Sequence, residues 1–197
     1  MRFSSREIKD LIIAGIFISL AFAILLSGGT RILTAFDSKM LIVFLIAFFT
    51  AGIGFLFHEL MHKYVAQNYR LNAEFKAYYP GLWLTFVLSF FGFIIAAPGA
   101  VHISGFITRE KNGKISLAGP MTNILLAILF LIPALFINKG LLGVFFSYGF
   151  SINSLLALFN MIPAMPFDGY KVLTWNKTVY GITIAVSATL FILSFLI

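Results

Sequence analysis

The sequence predicts an all-α polytopic membrane protein of about five transmembrane helices, with a re-entrant or β-hairpin segment embedded between the second and third. Three observations carry this prediction. Of the 197 residues 60% are hydrophobic and only 11% charged, more apolar surface than a soluble domain of this size can hide. Charge-poor runs at 11–30, 40–57, 81–101, 115–137, 141–167 and 178–197 approach or exceed the roughly 20 residues a helix needs to cross about 30 Å of hydrocarbon. The basic residues behind the net charge of +7 are scattered between these runs, as membrane-flanking charges are. That scatter argues against nucleic acid as a partner and for a lipid bilayer. No linker, repeat or low-complexity tract interrupts the chain, so residues 1–197 are expected to form one integral membrane domain. The chain has no cysteine, which excludes disulfides and thiolate metal sites.

The elements follow in order. Arg2, Arg6 and Lys9 precede the first run and place the N-terminus in the cytoplasm. The run resembles a signal peptide, but Ala21-Phe22-Ala23 falls inside it, so a retained helix over about 11–30 is expected. Arg31 to Lys39 then form a short outer loop, and a second helix over about 40–66 returns. The run 81–101 has basic residues on both sides: Lys63, Arg70 and Lys76 before it, Arg109, Lys111 and Lys114 after it. A full crossing would put one cluster outside, so this segment is expected to enter the membrane and return, as a re-entrant or β-like hairpin from Pro80-Gly81 to Pro98-Gly99. Helices over about 115–137 and 141–163 follow, joined at Asn138-Lys139-Gly140, and a last helix over about 178–197 runs outward. Eleven of the 14 Lys and Arg residues then lie inside, with Arg31, Lys39 and Lys139 outside.

The second helix carries His58-Glu59-Leu60-Met61-His62. On a helix the two histidines lie one turn apart on one face, where both can bind one metal ion. Glu59 stands beside them, able to act on a water in an open coordination position. Counted from Met40, His58 sits roughly 27 Å along the helix, toward the inner side of the bilayer. Ionisable groups at membrane depth are expensive and are usually functional. A catalytic zinc normally has three protein ligands, and Asp168 stands at the edge of an apolar run. Pro163 and Pro166 end or bend the preceding helix and are expected to present Asp168 from non-helical chain. In the topology above, Asp168 reaches the same inner side as His58 and His62.

With these residues in place the chain resembles the site-2 proteases, peptidase family M50, which are intramembrane zinc metalloproteases. The resemblance rests on His58-Glu59-Leu60-Met61-His62, on Asn160-x-x-Pro163-x-x-Pro166-x-Asp168-Gly169, and on Ala118-Gly119-Pro120-Met121-Thr122-Asn123. It covers roughly residues 40–170. The family implies one zinc ion per chain held by His58, His62 and Asp168, with Glu59 as general base and Asn160 orienting substrate or stabilising the oxyanion. It further implies cleavage of transmembrane segments of membrane-tethered proteins, and the charge-derived topology above puts the active site toward the cytoplasmic side of the cell membrane. An edge strand in the 70–105 region is expected to hold the unwound substrate by β-addition. Unlike larger family members, the chain is expected to lack a PDZ or CBS domain.

Plainer readings of the same residues stand beside these. The His-Glu-His group could be an interfacial cluster beside Lys63, and Asp168 a turn residue in Asp-Gly. Asn123 and Asn153 read as buried amides bonding across helices, and Gly119-Pro120 as the start of the third helix. His102 is either a regulatory fourth ligand or an interfacial histidine. The 24 phenylalanines read as lipid-facing and core packing, Trp83 and Tyr78-Tyr79 as an interfacial belt. As a functional alternative, a zinc transporter or channel would use the same ligands.

Overall fold

A computed structural model describes residues 1–30, 39–94 and 98–197, so the expected outer loop falls, Lys39 apart, outside the described residues. The protein is helical, with four helices long and apolar enough to cross a membrane: Ser5–Leu26, Met40–Asn68, Arg109–Phe136 and Gly140–Asn160. Two shorter apolar helices accompany them, Tyr79–Phe90 and Lys177–Leu193. The second of these is the last helix expected from the sequence, at 17 residues. The chain forms two compact units, one of Phe57–Ala73 and Ile103–Ile197 with Met1, the other of Arg2–Leu56 and Glu74–His102.

In the unit of 2–56 and 74–102, helix α1 (Ser5–Leu26) starts at Ser4, whose hydroxyl accepts from the Glu7 N–H at 3.1 Å. A serine at this position satisfies one of the N–H groups that a helix start leaves open. Helix α2 (Lys39–Ala47) passes through a five-residue π-helical turn (Phe48–Gly52) into α3 (Ile53–Asn68). The π turn packs against α1 at small residues. A Cβ on Gly52 would lie 2.3 Å from Ser19 Oγ, and that hydroxyl donates to the Gly15 carbonyl at 2.6 Å.

The same unit corrects the expectation for the run at 81–101. The chain runs through strand β1 (Asn72–Ala77), helix α4 (Tyr79–Phe90) and strand β2 (Gly99–Ser104), so the hairpin expected within the run is a helix, and strands flank it. Asn72, Glu74 and Lys76 alternate with Ala73, Phe75 and Ala77, the period of a strand, whereas Pro80 suits a first helical turn. β1 and β2 pair in a two-stranded sheet, and Tyr78 N–H donates to the Pro98 carbonyl at 3.0 Å. The two ends of the intervening segment therefore meet. At 12 residues, α4 is about 18 Å long, short of the roughly 30 Å of a bilayer core.

Two carboxylates of α1 hold β1. Glu7 Oε1 accepts from Phe75 N–H at 2.8 Å, Asp10 Oδ2 from Ala77 N–H at 3.1 Å, and Asp10 Oδ1 from the Tyr79 hydroxyl at 2.8 Å. Both acids are buried. Tyr79 is thus tied to the protein as well as exposed, and Trp83 packs edge-on against Phe17 of α1 at 5.2 Å.

In the other unit, helix α5 (Arg109–Phe136) packs against α6 (Gly140–Asn160) and α7 (Asp168–Trp175), with α8 (Lys177–Leu193) against α6 and α7. Two expectations change here. Gly119 and Pro120 do not begin the third helix but lie within α5, which starts ten residues earlier behind the Thr108 cap, whose hydroxyl accepts from Lys111 N–H at 3.2 Å. Asp168 does not come from irregular chain but is the first residue of α7, after extended Phe167. The prolines do end α6, yet beyond Pro166 nothing opposes a helix, and an acidic residue in a first turn suits the helix dipole.

Candidate metal centre

The unit of 57–73 and 103–197 brings three distant residues together. His58 and His62 stand one turn apart on α3, and Asp168 opens α7. All three are buried, with potential ligand atoms within 4.8 Å of one another. His58 Nε2 and His62 Nε2 are 3.0 Å apart, and Asp168 Oδ2 lies 3.4 Å from the first and 3.0 Å from the second.

The other ring nitrogens settle what these atoms carry. His62 Nδ1 lies 2.7 Å from the Ile115 carbonyl, an acceptor only, so this nitrogen bears the hydrogen. It does so in the turn where Pro120 removes the N–H that would close on the Ser116 carbonyl. His58 Nδ1 lies 2.6 Å from Asn123 Oδ1, which likewise can only accept. With both hydrogens at Nδ1, each neutral ring turns a lone pair on Nε2 toward the other and toward the Asp168 carboxylate. Three acceptors facing one another at 3.0–3.4 Å call for a cation. A tetrahedral ion with bonds of about 2.0–2.2 Å holds its ligand atoms about 3.3–3.6 Å apart, so the donor set fits zinc in kind and nearly in spacing.

Space is kept for such an ion by Gly119. A Cβ there would lie 2.4 Å from His62 Nε2 and 2.5 Å from His58 Nε2. Any side chain at 119 would crowd the donor atoms themselves. On the far side of the carboxylate, Lys171 Nζ lies 3.4 Å from Asp168 Oδ1, which leaves Oδ2 as the oxygen facing the histidines.

Glu59 follows His58 and is buried; His62, His58, Asp168 and Lys171 all act on it electrostatically. Asn160 ends α6 and turns its amide onto its own helix, Nδ2 donating to the Leu156 carbonyl at 2.9 Å. His102 stands exposed on β2. Among the described residues, the group able to hold a metal is His58, His62 and Asp168, without His102. Sequence reading left Asn123 and Asn153 as amides paired across helices, and Asn123 Nδ2 does donate to Asn153 Oδ1 at 3.0 Å. What it missed is that Asn123 also meets His58. Only the position of Asn123 in Gly119-Pro120-Met121-Thr122-Asn123 hinted at a part in the site.

Comparison with known proteins gives relatives named for one chemistry. The chain is 45% identical, over 187 residues, to a Methanocaldococcus jannaschii protein provisionally named zinc metalloprotease MJ0611, a match covering 92% of this chain and 90% of that one. It is 28% identical to zinc metalloprotease MJ0392 of the same organism, over 65% of this chain and 33% of the relative. A Bacillus subtilis protein provisionally named zinc metalloprotease YwhC is 30% identical over 63% of this chain and 65% of its own length. No protein-family model and no solved structure matches.

Proposed function

The chain belongs to the zinc metalloprotease family of MJ0611, and from that premise we propose that it is an intramembrane endopeptidase of the site-2 protease type. The observation that carries this reading is the buried convergence of His58 Nε2, His62 Nε2 and Asp168 Oδ2 in a protein whose His58 and His62 lie on a helix long and apolar enough to span a membrane. These three atoms would hold the zinc. When bound, zinc lowers the pKa of a ligand water toward neutral and polarises the scissile carbonyl.

The chain's own residues do the rest. Glu59 takes the proton of the attacking water and later delivers it to the leaving amine. Its burial beside the histidines keeps bulk water from competing for that proton. Asn160 orients the substrate with the amide atoms not engaged by Leu156. The substrate is a transmembrane segment of a membrane-tethered protein, unwound locally so that a peptide bond is exposed. Such a segment pairs with β2, because Glu7 and Asp10 already occupy the outer N–H groups of β1 at Phe75 and Ala77. The N-terminus and the site face the cytoplasmic side of the cell membrane, a reading that the basic residues flanking the apolar runs support.

Glu59→Gln tests the assignment. Cleavage of a single-span substrate in proteoliposomes should fall about 10²–10⁴-fold while the zinc content stays that of the unaltered protein. Undiminished cleavage would sink the general-base role.

A further inference from the structure

The two histidines differ in what holds them. His62 Nδ1 faces a backbone carbonyl, that of Ile115, which cannot exchange donor for acceptor. His58 Nδ1 faces a side-chain amide, that of Asn123, which can. If this amide turned by half a rotation it would present N–H to Nδ1, moving the imidazole hydrogen to Nε2 and closing that atom to a metal.

One further residue fixes which way Asn123 points. Asn153 Nδ2 donates to the Gly149 carbonyl at 2.9 Å. That carbonyl can only accept, so Asn153 must turn its amide nitrogen to it and its oxygen to Asn123. The oxygen accepts from Asn123 Nδ2 at 3.0 Å, which leaves Asn123 Oδ1 toward His58 at 2.6 Å. Both asparagines are fully buried, where no bulk water replaces a lost partner and a wrongly turned amide is costly. The close approach of α5 and α6 makes the chain of bonds possible. A Cβ on Gly149 would lie 2.4 Å from the Phe130 ring, one turn of α6 from Asn153.

We infer that Asn153 is a positioning residue for the metal centre. Through Asn123 it transmits the polarity of the Gly149 carbonyl to His58, places the hydrogen on Nδ1 and leaves Nε2 open to zinc. The inference rests on the proposal that His58 is a zinc ligand. Partners that orient ligand histidines typically contribute 10–100-fold in metal affinity.

The test is zinc competition with a chelator on the purified full chain, together with nitrogen-15 spectra of the zinc-loaded, histidine-labelled protein. With only three histidines in the sequence, the spectra are readily assigned. Asn153→Leu should weaken zinc binding about 10–100-fold and shift the Nδ1–H signal of His58 while leaving that of His62 in place. Asn153→Asp is the rescue. Burial keeps that carboxyl neutral, so its O–H donates to Gly149, its carbonyl accepts from Asn123, and zinc affinity returns to within about threefold of the unaltered protein. Unchanged zinc affinity in Asn153→Leu would overturn the inference. So would equal shifts at His58 and His62, or an Asn153→Asp protein as weak as Asn153→Leu, since either marks general loss of packing. An unaltered protein that binds no zinc would instead overturn the metal reading on which the inference depends.

Discussion

Two clusters of buried ionisable side chains, one in each unit, begin from similar sequence and end in different chemistry. Glu7 and Asp10 stand one turn apart on α1, His58 and His62 one turn apart on α3. The α1 carboxylates spend their acceptors on backbone and hydroxyl hydrogens of Phe75, Ala77 and Tyr79. Each of these bonds joins a donor to an acceptor, and the result is a strand fastened to a helix. The α3 histidines give their hydrogens away, to Ile115 and Asn123, and turn bare lone pairs onto each other and onto Asp168. A structural cluster closes on itself; a metal site is left short of positive charge. Burial alone does not separate the two cases, because both are buried.

Substitutions can break this contrast from either side. The largest effect is expected at Gly119. Gly119→Ala puts a methyl 2.4–2.5 Å from both Nε2 atoms, and zinc should be lost altogether, the crowding of the buried rings opposing the up to about 1 kcal/mol that replacing a helical glycine contributes. Gly181→Ala on α8, where an added Cβ meets nothing within 4 Å, is the control and should leave zinc content unchanged. Elemental analysis with thermal unfolding in detergent reads both. Full zinc occupancy in Gly119→Ala would show that the donor atoms are not confined as described.

At the other cluster the order of effects reverses. Glu7→Ala leaves the Phe75 N–H without its carboxylate and should cost about 1.5–3 kcal/mol of stability, the range for hydrogen bonds to charged groups, with zinc content intact. Asp10→Asn keeps an acceptor and should cost less, about 1 kcal/mol. Loss of zinc in a folded Glu7→Ala protein would erase the distinction between the two clusters.

The sequence made the metal cluster far more legible than the structural one, for reasons of pattern. A histidine pair at helical spacing with a glutamate between them is improbable inside an apolar run, so His58, Glu59 and His62 announce themselves. Asp168 followed from its place at the edge of an apolar run, yet Asp10 stands at such an edge too, immediately before the run at 11–30. Edge position therefore did not distinguish a potential ligand from a strand cap; the neighbouring Asn160, Pro163, Pro166 and Gly169 did. The partners of Asn123 lie 65 and 30 residues away along the chain, and no local period reports contacts at that distance. The long apolar helices were readable from hydropathy, although α1 and α5 each begin six residues before the expected start, where the flanking residues are charged and the apolar run gives no sign of helix. The strand at 72–77 was also readable, from its alternation, but the long apolar run after it drew the β assignment into what is α4. Pro163 and Pro166 hide the helical state of Asp168 from the sequence, although each proline restricts only its own turn and the residue before it and leaves the chain beyond free to form a helix.

The most direct test of the metal centre is the zinc content of purified protein, wild type against Asp168→Ala, by elemental analysis with unfolding midpoints recorded alongside. One zinc per chain in the wild type and essentially none in a folded Asp168→Ala is the predicted result, because two histidines alone make a poor site for an ion that takes three protein ligands. Equal zinc in both proteins would contradict the assignment of Asp168 as the third ligand.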